Sequence, residues 1–438
     1  MNSLSDIRVE EMNTIINEYL TAISSIGDSF GDICGYLTSK NAKANQCLGD
    51  FIKKRHINSE EDLLRKFEEN PQNIKSWKVL NKNIQRSEHA LKIFPESLFV
   101  SLVSQFDVLI AQLIKYIYKI APKKLYESEA TIPIRDLFIE NNIENIKERY
   151  INGKVETVLR KSHSEQIKDI SKMIDNTPLD KCSFWSDFIE ITQRRNLFVH
   201  CKGIVSEQYI DECKKASCTI NTKVGDVLSV DREYFLKAYF VLFCIGVMLS
   251  QVVVRKLLET SLIGEIDTIL NNVIYESISE KKYDIAIELS NFALCKTTCH
   301  CSRLDEVYFV LNYAQAYKWQ GNKEKCDEIL AGFDFSAMKD DILIAKYALE
   351  DDVTNVVRLM KKIGASSEIM CDEAYATWEI FKDMRNEEDF QKTYLNVFGK
   401  PLYEDSIKSK DDDFGKSLQA VIEEMTKMTT DLAKAQKK

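Results

Sequence analysis

The chain has 438 residues, which is enough for two or three domains and a sizeable core. With only 14 glycines and 6 prolines, it favours long helices over turn-rich sheets, so the predicted fold class is all-α. The formal net charge of −9 excludes a global basic field for nucleic acid, and any contact with RNA therefore needs a local patch.

Twelve cysteines are spread along the chain, and the polar, acidic N-terminal residues do not form a secretory signal peptide. We therefore expect reduced thiols and a cytoplasmic protein. The densest group is Cys295, Cys299, His300 and Cys301. Zinc commonly takes two spaced pairs of ligands, whereas this group is crowded at one predicted helix end. We expect incidental thiols there, with no bound metal and no cofactor.

Residues 1–90 are predicted to form an N-terminal helical region. Its first apolar stripe has helical spacing, and Gly27 and Gly31 are expected to break the helix. A second helix is expected at about 46–54. A third is expected to begin after Ser59, because a serine followed by acidic residues is typical of a capped N-terminus.

A central domain is predicted at residues 91–260, with Pro95 opening its first helix at a position where proline is tolerated. Apolar residues then recur at steps of three and four from Phe99 to Ile117. Asp107 lies at the edge of this stripe. A carboxylate near a bundle core either forms a pair or belongs to a site. Two interpretations stay open: a flanking surface charge, or a group that orients the arginine or histidine of the next motif.

The string RRNLFVHCKGIV, residues 194–205, carries the side chains best suited to chemistry. Asn196 and His200 are one helical turn apart, Arg195 lies about 100° around the helix from Asn196, and Gly203 is predicted to end the helix. A histidine moves protons near neutral pH, and an arginine matches the forked geometry of a phosphate. From spacing alone, a surface pair or a satisfied core group is the commoner explanation.

This arginine, polar residue and histidine resemble the signature of HEPN domains, the helical domains named for higher eukaryotes and prokaryotes nucleotide-binding. The same string, followed by Tyr209, is similar to a bacterial subgroup found in anti-phage and stress-response proteins. The stretch PESLFVSLVSQFD, residues 95–107, resembles the opening helix of that subgroup. The resemblance covers roughly residues 90–260 and implies a HEPN-like helical bundle.

The resemblance also implies a metal-independent endoribonuclease that cuts RNA by 2′-hydroxyl attack, in anti-phage defence or a toxin-like stress response. It implies a homodimer in which the arginine and histidine of two copies share one cleft. The implied catalytic residues are Arg195, Asn196 and His200, with Arg194 and Asp107 as further candidates.

Two other functions stay open. The main alternative is a non-catalytic HEPN-like dimerisation module joined to a protein-binding scaffold, which the net acidity favours. The other is the toxin half of a pair, restrained by a separate antidote protein.

Residues 238–254 are strongly apolar and about as long as the shortest membrane-spanning helix. A fully buried bundle helix has the same composition. Because the resemblance places the last helix of the domain here, we expect a buried helix and no membrane contact.

From 261 to 403 the pattern changes to pairs of short amphipathic helices, at steps close to the tetratricopeptide spacing. The unit at 310–322 resembles a tetratricopeptide first helix and turn, with Gly321 turning the chain. Helical-hairpin repeats of this kind commonly bind a protein partner on a concave surface. Residues 404–438 are predicted to be a charged linker followed by an amphipathic helix.

Overall fold

The computed structural model describes residues 4–126, 142–295, 302–367 and 369–402. These residues form helices and no β-strand, so the all-α prediction is confirmed. Cys299, His300 and Cys301 and the predicted C-terminal segment at 404–438 lie outside the described residues.

The chain divides into two compact units. One holds the described residues up to 273 together with those from 291 to 305, and the other holds those from 274 to 290 and from 306 onward. The sequence places a boundary between residues 260 and 261, which lies inside the first unit.

The first unit contains the central motif. In chain order its helices are α1 (Leu4–Lys54), α2 (Glu60–Glu69), α3 (Gln72–Ile120), α4 (Lys123–Tyr126), α5 (Ile143–Leu159), α6 (His163–Met173), α7 (Trp185–Cys201), α8 (Glu207–Lys215) and α9 (Arg232–Leu257). The residues of α10 (Ile263–Ser279) and α11 (Tyr283–Cys295) are divided between the two units.

Two helices are much longer than the sequence pattern predicts. α1 has 51 residues and continues through Gly27 and Gly31, and α3 has 49 residues and continues through Pro95. The predicted breaks at both glycines, the separate helix at 46–54 and the predicted helix start at Pro95 are therefore wrong. Glycine and proline inside a helix cost about 1 and 3 kcal/mol. The packing of α1 along α3 offsets those local costs.

Close packing also gives Gly27 a different role from the expected helix break. A Cβ atom added there would lie 2.9 Å from the ring of Tyr239 on α9. Gly246 on α9 has the same role, because a Cβ there would lie 2.3 Å from the ring of Tyr19. The Tyr19 hydroxyl donates a hydrogen bond of 2.8 Å to the carbonyl of Leu242. The glycines thus allow α1 and α9 to approach each other.

By length and composition, α3 and α9 could each cross a membrane. In the most apolar window, 83% of the residues are buried in α9 and 44% in α3. The burial of α9 agrees with the buried bundle helix that the sequence predicts. A core helix of a soluble protein has the same composition, so the test identifies no membrane span by itself.

The second unit continues with further short helices, the first of which begins within the last residues of the first unit. They are α12 (Arg303–Trp319), α13 (Lys323–Ala331), α14 (Asp340–Leu349), α15 (Val353–Ile363), α16 (Asp372–Thr377) and α17 (Glu388–Phe398). α14 packs on α15, and α15 packs on α17. Gly321 has a φ of +95° and turns the chain between α12 and α13, as the sequence predicts. Asn322 then caps α13 through its side chain.

Candidate functional site

The motif at residues 194–205 begins in the C-terminal part of α7. This helix ends just before Gly203, as the sequence predicts. Lys202 takes the left-handed conformation, and the N–H of Gly203 bonds to the carbonyl of Leu197 at 3.0 Å. A Cβ on Gly203 would lie 3.0 Å from the carbonyl oxygen of Leu228. Glycine is therefore required both for its φ of +77° and for this close approach.

After α7 the chain pairs with the loop that precedes α9. Ile204 and Val227 form an isolated antiparallel bridge, and the N–H of Val205 bonds to the carbonyl of Asp226 at 2.9 Å. Both bridge side chains remain exposed, as does Val199 on the last turn of α7. These three apolar side chains, Val199, Ile204 and Val227, form what we call the apolar rim.

Arg194 belongs to a buried network. Its Nε donates to Oε1 of Glu190 at 2.7 Å, and its guanidinium lies over the ring of Tyr234 at 3.7 Å. The hydroxyl of Tyr209 also donates to Oε1 of Glu190 at 2.7 Å, and that of Tyr234 donates to Oε2 at 2.6 Å. Three donors therefore satisfy the Glu190 carboxylate, which is only 8% exposed.

The electrostatics of this network agree with a structural role. Burial raises the pKa of Tyr209 and of Tyr234, and the neighbouring Glu190 carboxylate raises both further. Burial alone would lower the pKa of Arg194, but Tyr234 and Glu190 reverse the effect and raise it. Arg194 is therefore a firmly held cation in a core network. Arg194 therefore differs from Arg195 in its environment, whereas the sequence alone leaves open which of the two arginines belongs to a site.

Arg195 points toward a different part of the bundle. Its Nη2 donates to Oδ2 of Asp107 on α3 at 3.3 Å, and its Nη1 donates to Oδ1 of Asn196 at 3.2 Å. Its Nε is buried and has no hydrogen-bond partner among the described residues. Arg195 and Asp107 keep 24% of their side-chain surface exposed. The guanidinium is thus oriented by two side chains while part of it remains accessible.

A histidine that the sequence does not reveal as a site residue lies on the other side of Asp107. Nε2 of His163, the first residue of α6, lies 3.0 Å from Oδ1 of Asp107. The contact has the distance of an ion pair but not the alignment of a hydrogen bond. The imidazole is buried beside the rings of Phe106 and Phe188. Asp107 therefore links Arg195 to a buried histidine, and we call Asp107, His163 and Arg195 the Asp107 cluster.

The Asp107 cluster exists because α3, α6 and α7 pack against each other pairwise. His163 follows Ser162, which forms a capping box with Glu165. This capping pattern was the one local signal for a helix beginning at His163. It shows where α6 starts, but it contains nothing about the contact with Asp107, which is 56 positions earlier in the sequence.

His200 lies apart from the cluster, exposed on the last turn of α7 beside Val199. Among the described residues it forms no hydrogen bond or ion pair, and none joins it to Arg195. The structure thus brings Asp107, Arg195 and Asn196 together and leaves His200 at the surface.

No group of three or more histidine, cysteine, aspartate or glutamate side chains suited to a metal ion occurs within the described part of the chain. Of the cysteine-rich group, only Cys295 falls in that part, and it is exposed. No protein-family model matches the chain, and no curated protein or solved structure is significantly similar to it.

Proposed function

We propose that the chain is a metal-independent endoribonuclease of the HEPN type, acting in bacterial anti-phage defence or a toxin-like stress response. The observation that supports the proposal best is the way in which the Arg195 side chain is held. Asp107 and Asn196 orient it from two sides, yet its guanidinium stays partly accessible on the helix that ends in His200. An oriented cation and a free imidazole on one helix suit chemistry at a phosphodiester.

In the proposed reaction the 2′-hydroxyl next to the scissile phosphate is the nucleophile, so the protein needs none of its own. The new bond joins the 2′-oxygen to phosphorus, and the bond to the 5′-oxygen breaks. The proton of the 2′-hydroxyl passes through His200 to the leaving 5′-oxygen, because a histidine exchanges protons near neutral pH. Arg195 stabilises the charge that develops on the phosphate oxygens, and Asn196 holds the guanidinium in position.

A homodimer completes this site. Arg195 and His200 are five positions apart, which places them about 140° apart around one helix. Arg195 faces Asp107 on α3, whereas His200 is at the surface. A two-fold axis near the end of α7 would bring the His200 of each copy toward the Arg195 of the other. The apolar rim provides an exposed surface for such a contact.

The helical hairpins of the second unit are proposed to be tetratricopeptide-like repeats that bind a protein partner. This part of the proposal is supported by the α12–α13 hairpin, in which Gly321 makes the turn. In this arrangement the second unit controls or targets the nuclease, and the first unit carries out the cleavage.

Chemical analysis of the cleavage products tests the proposed activity. Wild-type protein should cut total RNA in the presence of EDTA and leave 2′,3′-cyclic phosphate ends, because the 2′-oxygen remains bonded to phosphorus. Mass spectrometry of a defined oligonucleotide after cleavage identifies these ends. A 2′-deoxy substitution at the cut site is the matched control and should block cleavage. Cleavage that EDTA abolishes, or that leaves free 3′-hydroxyl ends, would contradict the proposal.

Replacing Asp107 with asparagine tests how Arg195 is held. We expect kcat for RNA cleavage to fall about 10-fold or more, because the neutral amide loses the charge-assisted contact with Arg195 while keeping the shape of the side chain. Thermal unfolding of the same variant provides the control for stability. An unchanged kcat would show that Asp107 is a flanking surface charge, the other interpretation of the sequence.

Mixing two inactive variants tests the shared cleft. His200→Ala and Arg195→Ala proteins should each be inactive alone, and a mixture should regain part of the activity if one intact copy of each group in the shared cleft is enough. Sedimentation at micromolar concentration measures the oligomeric state. A strict monomer that still cuts RNA would rule out the shared cleft.

One observation favours the non-catalytic alternative. The Arg195–Asp107 contact joins α3 and α7, so the same contact could serve only to hold the bundle together beneath a dimer interface. In that case the wild type would form dimers but would not cut RNA, and Arg195→Ala would affect stability alone.

A further inference from the structure

The N-terminal half of α3 carries a row of cations that the proposed reaction does not use. Between Pro71 and Pro95 only Asn73, Ile84 and Ser87 are buried, and they face inward. The outward side carries Lys75, Lys78, Lys82 and Arg86, all exposed. Steps of three and four residues place these four on one face of the helix. We call this set the basic stripe.

The basic stripe is not neutralised by the protein. Among the described residues none of its four cations forms an ion pair, whereas many lysines elsewhere do, such as Lys119 with Glu11 at 2.7 Å. From Pro71 to Pro95 the chain has five lysines and arginines and one acidic residue, Glu88, which gives a net charge of 5 − 1 = +4. This local charge is opposite in sign to the −9 of the whole chain.

Within α3 these cations repel one another. Lys78 and Lys82 are four residues apart, as are Lys82 and Arg86, and like charges at that spacing destabilise a helix. A bound polyanion would turn this repulsion into attraction. The stripe is therefore better explained by an anionic partner than by the stability of α3.

A shallow cavity of about 420 Å³ lies along the same face. Three lysines, Lys75, Lys78 and Lys82, surround it, and its apolar surface comes from Pro71, Ile74 and Val79. Val79 is 51% exposed. Within this fully described segment no acidic side chain lines the cavity. Apolar surface bordered by cations suits a nucleotide chain, whose bases pack on the surface while its phosphates meet the lysines.

The shape of the stripe favours a linear polyanion over a membrane. From Lys75 to Arg86 it extends about 16 Å along a straight element, at 1.5 Å per residue. A helix that lies on a membrane inserts its apolar face into the lipid. Most of the apolar side of α3 is packed against α1, and the apolar surface of the cavity beside the stripe is small, so little of this helix is left to insert.

We propose that the basic stripe binds the phosphodiester backbone of single-stranded RNA. The choice of RNA rests on the proposed function, and it gives that function a substrate-holding surface outside the cleavage site. Along α3 the stripe is remote from the Asp107 cluster, because Lys82 and Asp107 are 25 residues and about 37 Å apart. Substitutions in the stripe therefore leave the geometry of Arg195 unchanged.

Fluorescence anisotropy with a labelled 20-nucleotide RNA tests the proposal in the full-length chain. All proteins carry His200→Ala, so that the probe stays intact. The triple variant Lys75→Gln/Lys78→Gln/Lys82→Gln should bind the RNA about 50-fold more weakly at 0.15 M salt. The slope of log K against log salt should become shallower by about 2. Both values are those for the loss of three phosphate contacts to a single strand. Lys281→Gln/Lys339→Gln/Lys361→Gln removes three exposed lysines of the second unit and should change affinity less than 2-fold.

Three outcomes would overturn the proposal: unchanged affinity and slope in the stripe variant, equal losses in the two triple variants, or a stripe-dependent binding to phosphatidylserine vesicles without binding to RNA. Circular dichroism checks that α3 remains folded. The proposed function is tested separately. A protein that binds RNA through the stripe but never cuts it would overturn the nuclease, whereas one that cuts RNA without using the stripe would overturn the present inference.

Discussion

The His200→Ala protein is expected to cut RNA about 10²- to 10⁴-fold more slowly than the wild type, the range by which general acid–base catalysis contributes to a rate. Its melting temperature should not change. His200 is exposed and has no hydrogen-bond or ion-pair partner among the described residues, so removing the imidazole breaks no such contact. A residue that takes part in the reaction but not in folding gives a large change in rate and a small change in stability.

Cys201→Ala is the matched control, because Cys201 is the next residue and is also exposed. It should cut RNA at the wild-type rate. Arg195→Ala should lose cleavage to a similar extent as His200→Ala, with a small loss of stability because Asp107 then lacks one partner. Gel assays of a defined RNA and thermal denaturation measure the two properties separately. A His200→Ala protein that retains wild-type activity would show that the proton is moved by another group.

Replacing Glu190 with alanine should have the largest effect on folding, a loss of about 3–5 kcal/mol in the free energy of unfolding. The carboxylate accepts hydrogen bonds from Arg194, Tyr209 and Tyr234, which come from three different helices. Its removal takes the carboxylate acceptor from the largely buried Arg194, from the buried Tyr209 hydroxyl and from the half-buried Tyr234 hydroxyl. Urea denaturation followed by circular dichroism measures this loss.

An exposed glutamate in the same unit provides the comparison. Glu156 pairs with Arg160 at 3.6 Å, and both side chains are more than two-thirds exposed. Glu156→Ala should therefore lower the free energy of unfolding by less than about 1 kcal/mol. If the two substitutions had equal effects, the Glu190 network would not contribute to the stability of the bundle.

Features that depend on neighbouring residues were predictable from the sequence. Ser59 caps α2 as expected, since its side chain accepts from the N–H of Asp62 three residues later. The end of α7 at Gly203 and the turn at Gly321 follow from glycines that take a positive φ. The all-α class follows from helical spacing of apolar residues and a low content of glycine and proline.

Local rules failed where packing between distant segments outweighs them. Gly27 and Pro95 are helix breakers by local preference, yet α1 and α3 continue through them because the two long helices stabilise each other. The placement of Leu262, Ile263 and Ile266 in the first unit is another such case. Their apolar spacing predicts a helix but contains no information on which core buries them.

In the candidate site, too, some features are local and others depend on packing between distant segments. The sequence by itself determined that Arg194, Arg195, Asn196 and His200 lie together at the end of one helix, because helical spacing and a terminal glycine are local properties. Only the tertiary structure decided their separate environments. It places Arg194 with Glu190 in the core, Arg195 with Asp107 and the buried His163, and His200 at the surface. These contacts join residues up to 88 positions apart, and such pairs form only when α3, α6 and α7 have packed.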